Sequence, residues 1–284
     1  MKPKPSITFE ALGTEWMIEA IDVARQQTNI KNELDRIDHI WSRFQDDSLI
    51  SLMAKEAGTY ELDQSDALLM KWYQQLYEAT DGLVSPLIGQ ALVDAGYDQA
   101  YSLKPKTIVH SSPTWEDTLV IGIDSITIKQ PALIDVGAAG KGYAVDQVAR
   151  LLDGDYCVDA SGDILVHGQE MRIGLQSPHD ETQLIGVATI KNESICGSAI
   201  TRRAWGDWHH IINPKTAKPV DDIIATWVIA DNAMHADGLA TALFFVSPEK
   251  LNQLTQFEYC IIYRNGTVKS VGQKIELFTE KATK

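Results

Sequence analysis

The 284-residue chain contains few cysteines and no long hydrophobic run. Its three cysteines, Cys157, Cys196 and Cys260, are too few and too far apart for a disulfide framework or a zinc site, so we expect buried free thiols. No segment approaches the roughly 20 apolar residues that a membrane-spanning helix requires. The sequence also lacks an internal repeat, a low-complexity tract and a linker, which predicts one domain over residues 1–284.

Basic residues are scarce as well: 25 lysines and arginines stand against 39 acidic residues, for a net charge of −14. This charge argues against nucleic acid or an anionic membrane surface as a partner, because like charges repel. A phosphate site would therefore be a local feature. The N-terminal segment MKPKPSITFEALG contains two lysines but no apolar region, so it does not resemble a signal peptide. We therefore expect a cytoplasmic protein.

Two long helices are predicted in the first third of the chain. The first is indicated by apolar residues at helical spacing, namely Ile30, Leu34, Ile37, Trp41 and Phe44. The second covers residues 66–80 and ends at Asp81-Gly82. Residues 85–98 contain one proline and two glycines that interrupt the helical pattern, which predicts a structured loop.

Short predicted strands dominate from residue 118 onward, among them one over residues 208–213. Helices are predicted between them, near residues 143–153, 236–246 and 248–256. Long helices therefore come first and strands later, without a regular βαβ alternation. This order is typical of an α+β fold with mainly antiparallel sheets.

The segment Asp135–Asp146, DVGAAGKGYAVD, follows a strand-like apolar run and begins a helical pattern. Backbone N–H groups at such a turn favour an anion, and the glycines let a ligand approach the backbone. The segment indicates either a phosphate-bearing ligand or a tight turn with Lys141 in solvent. It is not a Walker A loop, because Asp135 and Gly142 replace the glycine and the Ser or Thr of that motif, and it lacks a GxGxxG fingerprint.

Asp237 and Thr241 are four positions apart and would share one face of a helix. A carboxylate and a hydroxyl are hard oxygen ligands, which suit Mg²⁺ rather than zinc. The alternative is that Asp237 is a helix N-cap and Thr241 an ordinary helical residue.

Histidines and arginines mark two further candidate segments. Adjacent histidines on a strand point to opposite faces, so at most one of His209 and His210 enters a given site. His210 is a candidate general base, and a structural or solvent-facing pair is the alternative. In residues 194–203, small residues precede Arg202 and Arg203, which would bind phosphate or a carboxylate or else remain solvated.

Two short turns complete the candidates. Asp159–Asp163 is either a structural β-turn or part of the same cleft. Ala95-Gly96-Tyr97 presents an aromatic face beside a flexible backbone, which suits a flat ring, although Tyr97 would equally well cover the core.

Taken in order, DVGAAGKGYAVD, DASGDI, HHIINPKT and ADGLATALF resemble the ApbE family of flavin transferases over essentially the whole chain. The corresponding family segments are D-x-G-x-x-x-K-G-Y-A-x-D, N-A-G-G-D-I, H-I-I-D-P-x-T-G and A-D-A-L-S-T-A. Leu12-Gly13-Thr14 is similar to the M-G-T opening of the family. The resemblance implies an ApbE-like (T-fold-related) α+β fold: mainly antiparallel sheets with flanking helices, and an FAD cleft between two lobes.

The resemblance also implies an activity: transfer of FMN from FAD, with Mg²⁺, to a threonine or serine of a target flavoprotein through a phosphoester bond, releasing AMP. Mg²⁺ would be held by Asp237, Thr241 and the carbonyl of Ala138, with His210 as general base and Asp237 also catalytic. The implied FAD contacts are Leu12, Phe44, Ala95, Gly96, Tyr97, Asp135, Lys141, Ser198 and His210. The implied partner is an acceptor flavoprotein with a flavinylation threonine motif.

The chain departs from the family pattern at several positions. CGSAITRR replaces an S-T-S-G-like segment, and the substituted single positions are Ser161, Asn213 and Ala217. Many family members are exported lipoproteins, whereas this sequence shows no lipobox cysteine near its start. Two alternatives share the same residues, namely an Mg²⁺-dependent FAD pyrophosphatase and a non-catalytic FAD-binding protein.

Overall fold

The computed structural model describes residues 4–278; residues 1–3 of the N-terminal segment discussed above, and the last six residues of the expected domain, lie outside that range. The helices are α1 (Val23–Trp41), α2 (Leu49–Met53), α3 (Gln64–Ala79), α4 (Gly89–Asp94), α5 (Trp115–Thr118), α6 (Gly140–Ala149), α7 (Ala233–Ala242) and α8 (Pro248–Leu251).

The strands are β1 (Ser6–Ala11), β2 (Thr14–Ala20), β3 (Gly58–Glu61), β4 (Leu119–Ile121), β5 (Ser125–Ile128), β6 (Tyr156–Asp159), β7 (Asp163–His167), β8 (Met171–Gln176), β9 (Leu184–Ile190), β10 (Glu193–Ala199), β11 (Ala204–Trp205), β12 (Trp208–His209), β13 (Ile212–Asn213), β14 (Lys218–Pro219), β15 (Ile223–Ala230), β16 (Glu258–Tyr263), β17 (Val268–Val271) and β18 (Ile275–Leu277).

An eight-stranded sheet with the order β1-β2-β6-β7-β10-β15-β16-β17 forms the centre of the fold. Its neighbouring strands all pair antiparallel. Three-stranded sheets β18-β9-β8 and β3-β5-β4 lie beside it, and α1, α3, α6 and α7 contribute to one large apolar core with the main sheet. This arrangement confirms the predicted α+β fold with mainly antiparallel sheets. Among the described residues, no helix combines the length and apolar character needed to cross a bilayer.

The predicted loop over residues 85–98 is wrong, because this segment contains a 3₁₀ turn (Pro86–Ile88) followed by α4. The hydroxyl oxygen of Ser85 caps the turn by accepting the N–H of Leu87 at 3.2 Å. Gly89 does not interrupt the helix; instead, its missing side chain allows a close approach, since a Cβ there would lie 2.5 Å from the carbonyl oxygen of Leu133. A glycine that permits packing therefore resembles a helix breaker in the sequence.

A buried carboxylate joins three helices. Asp66 is fully buried on α3 and accepts hydrogen bonds from the indole N–H of Trp41 and the hydroxyl of Tyr143, both at 2.8 Å. The guanidinium of Arg36 donates to its other oxygen at 2.6 Å. Because a buried charge is tolerated only when it is paired and hydrogen-bonded, these contacts fix α1, α3 and α6 relative to one another.

Helices α6 and α7 meet at a glycine. A Cβ at Gly142 would lie only 2.1 Å from the carbonyl oxygen of Ala233, so the two helices approach as closely as they do because position 142 has no side chain. Asp146, one turn further along α6, accepts the N–H groups of Ala233 and Met234 at 2.9 Å each, which caps the start of α7. The three cysteines are free and buried, as predicted.

We expect Gly142→Ala to lower the free energy of unfolding by at least about 2 kcal/mol, because the new methyl group overlaps a backbone atom and the helices must separate. Urea unfolding followed by circular dichroism measures this change. Gly58→Ala is the matched control, since a Cβ there meets only the Tyr60 ring at 3.7 Å. Equal stability of the two variants would contradict the close-approach argument.

Candidate functional site

A cavity of about 840 Å³ opens beside the glycine-rich segment, within the size range of small-molecule sites. Its wall comes from the β1–β2 turn, the end of α1 and the residues that follow it, residues 83–103, residues 135–141, residues 201–214, Thr241 of α7 and Phe245. The predicted site residues that line it are Leu12, Phe44, Tyr97, Asp135, Ala138, Lys141, His210 and Thr241. The fold therefore collects in one place eight residues that are scattered along the chain.

One part of the wall is aromatic. Phe44 stacks on Tyr101 with 5.2 Å between ring centroids and an interplanar angle of 6°. The ring of Tyr97 lies 5.6 Å from each of these two and 5.8 Å from Trp205. All four rings border the cavity. Such a cluster offers apolar faces to a flat ring system, which agrees with the interpretation of residues 95–97.

The glycine-rich segment is held rigid by three hydrogen bonds. Asp135 accepts the N–H of Gly137 at 2.8 Å, and the hydroxyl oxygen of Tyr73 accepts the N–H groups of Ala138 and Ala139 at 3.1 Å each. The N–H of Gly142 points to Asp237 and not back along the helix. The carbonyl of Ala138 consequently receives no backbone hydrogen bond from residues 4–278 and is available to a cation.

Asp237 lies inside α7, whose N-cap is Asn232, so the alternative that Asp237 caps the helix is wrong. Its side chain lies beneath the cavity wall at 5% exposure, and Oδ2 accepts the Gly142 N–H at 3.0 Å. Thr241 lies one turn later on the same face of α7 and borders the cavity. Burial, together with the nearby carboxylate of Asp163, raises the pKa of Asp237 well above its ordinary value.

Lys141 is anchored and does not extend into solvent, so that alternative is wrong too. Its ammonium donates to the carbonyl of Ala160 at 2.9 Å and lies 3.0 Å from Oδ2 of Asp163. Asp163 is 1% exposed, and apart from this ion pair its carboxylate has no polar partner among the described residues. The turn at residues 159–163 is thus both a structural hairpin turn and a neighbour of the site.

The charges around Asp163 and Asp237 indicate whether a cation would bind between the glycine-rich segment and α7. Asp163 and Asp237 are two buried carboxylates that interact electrostatically. Lys141 lies 3.0 Å from Asp163, and the positive charges of Lys141 and Arg203 both act on Asp237. The pKa of Asp237 is raised in spite of these cations, because burial and Asp163 disfavour its charged form, so a further cation beside the two carboxylates would be favourable. The neighbouring ligand atoms are all oxygens, which suits Mg²⁺. Within residues 4–278 no three His, Cys, Asp or Glu side chains form a metal cluster. The candidate site instead combines a carboxylate with a hydroxyl and a backbone carbonyl.

His210 borders the cavity, whereas His209 points elsewhere and hydrogen-bonds the carbonyl of Val220 at 2.8 Å. The predicted strand over residues 208–213 is wrong, because β12 ends at His209 and β13 begins at Ile212. Nδ1 of His210 is enclosed and has no partner in the described part of the chain. Burial, followed by the charge of Arg203, lowers the pKa of His210 to about 3, so the imidazole is neutral at pH 7.

Three predicted contacts lie outside the cavity lining. Ala95 is fully buried, and its carbonyl accepts the indole N–H of Trp205 at 2.9 Å. Gly96 has a φ of +98°, and a Cβ there would be 2.4 Å from the N atom of Lys104, so it shapes the turn beside Tyr97. Ser198 lies on β10 opposite Thr226. A direct role in binding stays a prediction for each of the three.

Sequence reasoning missed Arg43, Tyr101 and Trp205. Arg43 lies at the end of α1, outside its apolar stripe, and is nevertheless 2% exposed in its side chain. The remaining signal was the adjacent pair Arg43-Phe44 just beyond a strongly amphipathic helix. Tyr101 lies in an irregular segment and Trp205 in the two-residue strand β11, so neither belongs to a periodic sequence pattern.

Comparisons with known proteins identify similar sequences over most of the chain. The FAD:protein FMN transferase of Escherichia coli strain K12 is 24% identical over 92% of this chain and 86% of its own length. That of Salmonella typhimurium is 22% identical over 89% of this chain and 82% of its own length.

Solved structures show the same fold. The ApbE protein of Thermotoga maritima superposes with a TM-score of 0.81 at 21% identity, covering 94% of this chain and 96% of its own. The flavin transferase ApbE of Vibrio cholerae gives a TM-score of 0.77 at 21% identity, covering 94% and 96%. The sequence model of the ApbE family matches residues 12–261, which is most of the chain. This protein therefore belongs to the ApbE family.

Proposed function

We propose that the protein is an Mg²⁺-dependent FAD:protein FMN transferase. It would transfer FMN from FAD to a threonine or serine hydroxyl of an acceptor flavoprotein and release AMP. The observation that carries the proposal is the hydrogen bond that holds Asp237 against the glycine-rich segment, beneath the wall of a cavity that is bordered by Thr241 and by an aromatic cluster. Curated relatives with this activity, at 22–24% identity over most of the chain, support it.

The charge of the cavity favours an anionic ligand. Although the chain has a net charge of −14, cationic side chains outnumber carboxylates in the lining of this one cavity: Arg43, Lys141, Arg202 and Arg203 stand against Asp38 and Asp135. The guanidinium of Arg202 donates to the carbonyl of Ser161 at 2.6 Å, which keeps it beside the turn that contains Asp163. A ligand with a flat ring and a pyrophosphate, such as FAD, matches an aromatic wall next to cationic groups.

Asp237, Thr241 and the carbonyl of Ala138 would hold the metal ion. When bound, Mg²⁺ neutralises charge on the pyrophosphate and on the departing AMP. Lys141, fixed by Ala160 and Asp163, adds a positive charge in the same wall. The remaining chemistry is positioning: the acceptor hydroxyl forms a bond to the phosphorus of FMN while the bond from that phosphorus to the AMP oxygen breaks.

His210 would receive the acceptor hydroxyl. A neutral imidazole accepts a hydrogen bond from the hydroxyl, orients its oxygen toward phosphorus, and takes up the proton as the new bond to phosphorus forms. Its pKa of about 3 makes it a weak base in the free protein, so orientation is its main contribution before the transition state.

The proposal is tested by incubating the protein with FAD, Mg²⁺ and an acceptor domain that contains a flavinylation threonine. Intact mass should show one FMN per acceptor, and chromatography should show one AMP released for each. AMP release at a rate that the acceptor does not alter would identify an FAD pyrophosphatase. Tight FAD binding without turnover would identify a non-catalytic binding protein.

Asp237→Asn should reduce the rate of FMN transfer at least about 100-fold, because it removes a metal-binding charge while keeping the side-chain volume. Asp231→Asn, at an exposed position just before α7, is the control and should keep the wild-type rate. Mg²⁺ titration of the residual rate completes the measurement. A wild-type rate in Asp237→Asn would exclude this aspartate as a metal ligand.

His210→Ala should lower the transfer rate by about 10²- to 10⁴-fold, the range for loss of a positioned acid–base group. In the wild-type protein, the lowered pKa keeps His210 neutral from pH 8 down to pH 5. The pH–rate profile should therefore show no loss of activity near pH 6.5, where an unperturbed histidine becomes protonated. A limb at pH 6.5 that disappears in His210→Ala would contradict this assignment.

A further inference from the structure

Arg43 is a buried cation that borders the cavity at the end of α1. Its Nε donates to Oδ2 of Asp135 at 2.5 Å, and Nη1 donates to the carbonyl of Tyr97 at 2.7 Å. The guanidinium carbon also lies 4.2 Å from the ring centroid of Phe44 and 4.7 Å from that of Tyr97. One side chain therefore joins its own segment, which contains Phe44, to two other segments of the cavity wall.

These contacts determine the relative placement of the ring-binding groups. The rings of Phe44 and Tyr97 meet at an interplanar angle of 65°, with the guanidinium over both. Asp135 in turn holds the start of the glycine-rich segment through Gly137. Because a guanidinium is planar and donates in fixed directions, it can hold two acceptors and two rings in one geometry, which a lysine cannot do.

The third nitrogen of the Arg43 guanidinium makes no such contact. Nη2 of Arg43 is enclosed and has no hydrogen-bond partner within residues 4–278. Leaving such a group unpaired is unfavourable, so stability alone does not account for a guanidinium at this position. An acceptor atom on a bound ring would relieve that cost.

We propose that Arg43 is a specificity-determining residue that selects the ring system of the ligand, by holding Phe44, Tyr97 and Asp135 in one fixed arrangement. This inference rests on the proposed flavin-transfer function. It assigns to Arg43 the recognition of the isoalloxazine ring, whereas the ADP portion of FAD is bound by other groups.

The two halves of FAD separate these roles. Riboflavin carries the ring and ADP carries the phosphates, so the dissociation constant of each is measured by calorimetry for the wild-type protein and for Arg43→Met. Riboflavin binding should weaken about 10- to 100-fold, the range for losing hydrogen bonds to a charged group. ADP binding should stay within about twofold. In turnover, the KM for FAD should rise with kcat nearly unchanged, because the lost interaction is present before the transition state.

The variant Arg43→Lys separates the contribution of the planar guanidinium from that of the positive charge. A lysine keeps a charge opposite Asp135 but cannot reproduce the planar fork, so this variant should recover thermal stability without recovering riboflavin affinity. Arg36→Met is the matched control: Arg36 is an ion-paired arginine on α1, the helix that precedes Arg43, and lies outside the cavity lining. It should lower the melting temperature and leave the ratio of riboflavin to ADP affinity unchanged.

Each contrary result has a distinct meaning. A wild-type protein that binds neither riboflavin nor FAD would refute the proposed function itself. Wild-type binding combined with unchanged riboflavin affinity in Arg43→Met would refute only the role of Arg43. An equal loss of riboflavin and ADP affinity in Arg43→Met would show that Arg43 supports the whole cavity wall and does not select the ring. Full recovery of riboflavin affinity in Arg43→Lys would show that the positive charge alone is sufficient.

Discussion

The site depends on one hydrogen bond between two segments that are 95 residues apart, from the N–H of Gly142 to the buried carboxylate of Asp237. It forms only because position 142 has no side chain, which lets α6 pack against the start of α7. The same bond diverts the Gly142 N–H away from the carbonyl of Ala138. A packing contact therefore places Asp237 against the glycine-rich segment and leaves the carbonyl of Ala138 without a backbone hydrogen bond from residues 4–278.

Local periodicity predicted the parts of the fold and site that depend on neighbours in sequence. The separation of Asp237 and Thr241 indicated a shared helix face, and the order of helices and strands indicated the α+β class. Predictions were wrong where a residue type has two uses. Gly89 allows a close approach inside a short 3₁₀-and-helix segment, although its usual effect is to end one.

Long-range contacts explain what the sequence could not predict. Arg43 binds groups that lie 54 and 92 residues away, and nothing in the pattern of α1 indicates those partners. Asp163 belonged to a recognised turn, but its burial beside Lys141 and Asp237 depends on how β7 packs against α6 and α7. The predicted residues thus define where the cavity lies, while the residues that orient its wall became evident only in three dimensions.

Under the proposed function, the pairing of Lys141 with Asp163 would make the binding of the anionic ligand and of the cation interdependent. In the free protein this ammonium is already balanced by a carboxylate, so an anionic ligand entering alone would add negative charge beside two buried aspartates. A divalent cation entering with it would offset that charge. Each would therefore raise the affinity for the other by the same factor, as linkage requires, and the protein would discriminate the metal-bound form of a pyrophosphate from its free form.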